Sequence, residues 1–129
     1  MDRIRLLITV LVAIVILTTA CSTETPKPTV AKSYNVVFTV TGTASKAVIG
    51  FRCDSSGKNV VSEVYDIPWE KKLTCRPGPG SNFTLSATHR VDSPGSLTCE
   101  IKVNGELKDS DTLSQMKDGL SMVSCSVFP

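Results

Sequence analysis

Leu97-Thr98-Cys99-Glu100-Ile101-Lys102-Val103-Asn104-Gly105 decides the fold class of this chain. Leu97, Cys99, Ile101 and Val103 alternate with Thr98, Glu100 and Lys102. One face is apolar and the other polar at a period of two, the pattern of a strand half-buried in a sheet. Asn104-Gly105 follows at once, and that dipeptide favours the type I′ turn of a tight hairpin. Residues 106–112 are then its return strand.

The same texture extends in both directions. Upstream, Tyr34, Val36, Phe38 and Val40 alternate with Asn35, Val37, Thr39 and Thr41, and Ala47, Ile49, Phe51 and Cys53 alternate next. Asp54-Ser55-Ser56-Gly57 supplies a turn, the valine-rich residues 59–65 a third strand, and residues 69–75 a fourth, with Pro68 at its start, where a missing N–H costs least. Arg76-Pro77-Gly78-Pro79-Gly80 cannot be helical and reads as a rigid loop. Phe83, Leu85 and Ala87 face one way along the next strand, and Ser93-Pro94-Gly95 turns the chain. Residues 122–128 close the domain. Gln115-Met116-Lys117 is at most one helical turn. Seven or eight short strands, Gly/Pro turns and no helical period predict an all-β sandwich over residues 34–129.

The chain has 5 cysteines. With Cys21 set aside, Cys53, Cys75, Cys99 and Cys125 read as two disulfides of a small exported domain. Three connectivities are possible. The sequential one, Cys53–Cys75 with Cys99–Cys125, is favoured because each pair would join neighbouring strands. Loops of this size suggest about 3 kcal/mol of stabilisation each in the chain-entropy account. Cys99 shares its face with Leu97 and Ile101, and Cys125 with Val123 and Val127, so a buried bond is expected there with Trp69 packed nearby. A metal site is disfavoured: no two cysteines have zinc-knuckle spacing, and the one histidine is His89.

The N-terminus carries an address. A basic head with Arg3 and Arg5, an apolar run over residues 6–17 and the small-residue step Thr18-Thr19-Ala20 form a signal peptide over residues 1–20. The apolar run is short for a membrane span, which needs about 17–25 residues. Cys21 after that step resembles the lipobox of bacterial lipoproteins, whose thiol takes a diacylglycerol. Residues 21–33 then form a lipidated, proline-bearing tether, able to extend about 40 Å at roughly 3.3 Å per residue. An uncleaved signal anchor and plain secretion are the alternatives. The lipid reading places the domain on the extracytoplasmic face of the cell membrane.

Charge and motifs exclude more than they assign. Removing residues 1–20 leaves 109 residues with 12 basic and 11 acidic side chains, no basic patch for nucleic acid and no run of like charge. No catalytic set, cofactor motif or small-molecule site is evident. His89 shares the parity of Phe83, Leu85 and Ala87 and reads as a strand-end histidine rather than a base. The scattered carboxylates have no glycosidase spacing and read as solvated strand faces. Tyr65-Asp66-Ile67-Pro68-Trp69-Glu70 has two readings. It is a strand end and proline corner with a core tryptophan, or Tyr65, Pro68 and Trp69 form a partner surface, since tryptophan is favoured at interface centres.

Val36-Val37-Phe38-Thr39-Val40-Thr41-Gly42-Thr43-Ala44, the Ile67-Pro68-Trp69 corner, the run from Leu97 to Gly105 and the final cysteine Cys125 occur in one order. Together they resemble the mycobacterial small membrane protein family (MmpS) over about residues 34–128. The resemblance implies an extracytoplasmic immunoglobulin-like β-sandwich behind a membrane anchor. It also implies a non-enzymatic accessory role beside a large proton-driven exporter of lipids or siderophores. Here the anchor takes a lipoprotein form at Cys21, and the Cys53/Cys75 pair is additional to the family's expected pair. A lipoprotein binding module for another envelope protein, such as a surface-interaction or superinfection-exclusion factor, is the alternative.

Overall fold

The structure, a computed structural model, describes residues 30–53, 60–114 and 121–129. The signal segment, Cys21, the Asp54-Ser55-Ser56-Gly57 turn and the Gln115-Met116-Lys117 turn lie outside the described residues. In β1 (Tyr34–Thr41) Val36, Phe38 and Val40 are buried, and in β2 (Lys46–Arg52) Ala47, Ile49 and Phe51. β3 (Val60–Asp66) and β4 (Trp69–Cys75) follow. Every second residue is again buried in β5 (Phe83–His89) and β6 (Leu97–Val103). β7 (Glu106–Leu113) is almost wholly exposed, and β8 (Met122–Val127) buries Val123 and Cys125. Each expected strand is present, its ends shifted by no more than a residue.

The strands form two four-stranded antiparallel sheets, ordered β4-β1-β6-β7 and β3-β2-β5-β8, packed face to face as a sandwich. Phe38, Phe83, Ile49, Leu85, Leu97 and Ile101 fill the space between them. Each such side chain contributes about 1.5–3 kcal/mol on leaving water. Immunoglobulin-like describes the two-layer architecture and its buried inter-sheet disulfide; the strand order is this chain's own.

The turns sort into two ends. Tyr34, Cys75, Phe83 and Val127 lie at the end where residues 30–33 join the domain. There the β6–β7 hairpin turns through Asn104 (φ 51°) and Gly105 (φ 84°), both left-handed as a type I′ turn requires. At the opposite end the chain passes from one sheet to the other after β1, β3, β5 and β7. Eight residues of β1 separate the ends by about 27 Å at roughly 3.4 Å per residue.

The disulfides are Cys53–Cys75, with Cα atoms 5.3 Å apart, and Cys99–Cys125, 6.1 Å apart. The pairing is the sequential one, but the geometry expected for it is not what the fold uses. Neither bond joins neighbouring strands of a sheet. Cys99 on inner strand β6 reaches Cys125 on edge strand β8 of the other sheet. Cys53, just past inner strand β2, reaches Cys75 on edge strand β4. Each bond therefore ties the middle of one sheet to the margin of the other, one on each flank of the sandwich.

Candidate functional site: the Tyr65–Trp69 corner

β3 and β4 belong to different sheets, so the chain must cross the sandwich between Asp66 and Trp69. Ile67 anchors the crossing: half-buried, it donates its N–H to the Ser45 carbonyl at 2.9 Å. Pro68 follows through a cis peptide bond and is exposed. β4 then begins at Trp69, in register with Val40 near the far end of β1.

The corner continues the core outward as a file of rings. Phe38 lies 5.2 Å from Phe51, Phe51 lies 5.7 Å from Trp69, and Trp69 lies 5.4 Å from Tyr65, all at tilted angles. Such pairs add about 0.5–1.5 kcal/mol each beyond the area they bury. Phe38 is fully enclosed, Phe51 nearly so, and Trp69 and Tyr65 are half-buried. The Tyr65 hydroxyl donates to Glu63 Oε2 at 2.8 Å. That bond to a carboxylate holds the phenol above its ordinary value of 10.0, because ionisation would remove the donor and face two anions together. Lys46 and Asp66, 3.7 Å apart, and Lys72 and Glu70, 3.2 Å apart, form a charged margin.

The three residues singled out in the sequence thus lie together, Tyr65 and Trp69 in ring contact and Pro68 exposed between them. The arrangement offers an aromatic step with a polar rim, suited to protein contact. Trp69 was expected to pack against the buried disulfide. Trp69 does not flank Cys99–Cys125: Val40 pairs with Trp69 on one side and Cys99 on the other, so a whole strand intervenes. Its ring partners are Phe51 and Tyr65 instead. Both Phe51 and Glu63 could have been found from parity, Phe51 facing inward and Glu63 sharing a strand face with Tyr65 two residues on.

Near the corner, a clasp of hydroxyls joins the crossovers after β1 and β5. Ser93 Oγ accepts the N–H groups of Ser45, at 3.0 Å, and Lys46, at 2.9 Å. Thr43 N donates to Ser96 Oγ at 3.1 Å, and Ser96 N to Thr43 Oγ1 at 2.8 Å. The approach is close enough that a Cβ on Gly42 would stand 2.0 Å from the Ser96 carbonyl oxygen. His89 is 1% exposed and its Nε2 donates to the Gly95 carbonyl, so the histidine holds this clasp to the core. Among the described residues no three His, Cys, Asp or Glu side chains are grouped to hold a metal ion. No protein family profile and no curated protein matches the chain.

Proposed function

We propose that this protein is a non-enzymatic accessory domain, held on the extracytoplasmic face of a membrane by a lipid on Cys21, that works by contact with a large multi-span exporter. The observation that carries the reading is the aromatic step of Tyr65, Pro68 and Trp69. It is half-exposed, rimmed by charge and located at the end of the sandwich away from residues 30–33. A contact surface there faces outward, toward parts of a partner that project from the bilayer. Two disulfides support an oxidising compartment. The MmpS-like order of the Val36–Ala44 strand and turn, the Ile67-Pro68-Trp69 corner and the Cys99 strand supports the choice of partner class.

A photo-crosslinking amino acid placed at the exposed Pro68 position in intact cells tests the reading. Adducts with a multi-span proton-driven transporter, lost on Trp69→Ala, are expected. Adducts confined to other envelope proteins would transfer the reading to a lipoprotein module with a different partner.

A further inference from the structure

We propose that the end of the sandwich where residues 30–33 join it is a bilayer-seating surface. Phe128 enters the headgroup boundary there, and Lys32 and Arg76 meet anionic lipid phosphates. The inference rests on the reading that the chain before Val30 is held at a membrane. Three observations point to it.

First, an apolar cleft opens at this end. A cleft of about 480 Å³ is walled by Val30, Tyr34, Pro77, Pro79 and Phe128. Val30 is 88% and Phe128 76% exposed. Single exposed apolar residues need no explanation, but two beside one proline-walled cleft form a patch. Val91 is equally exposed at the other end, yet it stands between Arg90 and Asp92, which pair with one another.

Second, the patch carries cations at its margin. Lys32 Nζ lies 5.0 Å over the Tyr34 ring, and exposed Arg76 immediately precedes Pro77. Glu106, the acid next to the turn of the neighbouring hairpin, is paired with Lys108 at 2.6 Å, which cancels its charge locally. Apolar and aromatic side chains flanked by Lys and Arg are the composition that partitions into an anionic interface.

Third, chain length favours this end over the other at the membrane. The dozen residues after Cys21, through Ser33, can reach about 40 Å at most at roughly 3.3 Å per residue, and a real chain averages much less. The opposite end is roughly 27 Å farther out along β1. A lipid on such a tether anchors the domain without orienting it. Seating Phe128 and the cations would set the orientation and aim the Tyr65–Trp69 corner away from the bilayer.

Fluorescence quenching in the full, lipidated chain tests the proposal. The protein is reconstituted into vesicles of phosphatidylcholine and phosphatidylglycerol whose acyl chains are brominated near the headgroup. Trp69 is the only tryptophan of the natural chain, so its emission reports the far end. The expected result is unchanged emission from the natural chain and loss of most of the added emission from F128W. Quenching should weaken, and lose its dependence on phosphatidylglycerol, when Lys32→Glu and Arg76→Glu are introduced. V30W repeats the reading from the other wall of the cleft. If the protein floats with the vesicles but neither F128W nor V30W is quenched, the seating is wrong and the anchor stands. Equal quenching of Trp69 overturns the orientation. Failure to float overturns both the seating and the membrane-held reading.

Discussion

Ser93 is the residue on which the far end turns. One buried hydroxyl accepts two backbone N–H groups from the start of β2, and its removal would leave both without that acceptor. Ser93→Ala should therefore cost about 1–3 kcal/mol, the range for a buried polar group deprived of its partner, read from denaturant unfolding. An unchanged midpoint would show that the clasp carries no stability. Nothing in the sequence marks Ser93 among its serines; its role needs two crossovers brought together across 48 residues. Nearby, Arg90 grips Asp92 through Nε at 2.8 Å and Nη2 at 3.0 Å, and holds its carboxyl below the ordinary 3.8. A depressed folded value means this pair supports the fold above pH 3.8 and loses that support as pH falls through the lowered value. An NMR titration of Asp92 should give a midpoint below that of the same residue in Arg90→Gln.

At the scale of elements, the strands were legible because alternation is a local signal, and the Asn104-Gly105 hairpin because its turn demands those two residues. Sheet membership was not legible. β1 bonds to β4 and β6 rather than to β2, and no periodicity within a strand encodes its partner. For that reason the cysteine pairing could be anticipated while the crossing between sheets could not. Register also exposes a device on the open flank. Lys71 stands opposite Phe38, and Glu63 opposite Ile49, each a charge on the inward face of an edge strand. Inward charges at edges discourage pairing with another chain. Lys71→Val should raise concentration-dependent self-association in sedimentation velocity relative to the natural protein. Identical profiles would remove that role from Lys71.

For the whole molecule, the two disulfides bind the sheets at opposite flanks, and the aromatic file joins the core to an outward corner. Cys99→Ser should destabilise the domain by roughly 2–5 kcal/mol, measured by thermal or denaturant unfolding, because Cys99–Cys125 lies at the centre of the packing. The aromatic corner was legible as three neighbouring residues, since Tyr65, Pro68 and Trp69 are close in sequence. The seating cleft was not, because its walls come from residues near 30, 78 and 128. We infer an exported, lipid-tethered sandwich clipped by two inter-sheet disulfides. Mass spectrometry of the intact protein from native membranes, without reduction, tests it most directly. The expected species is a chain beginning at a diacylglycerol-modified Cys21, with Cys53 linked to Cys75 and Cys99 to Cys125. A chain that retains Met1, carries no lipid and has all its thiols free would contradict it.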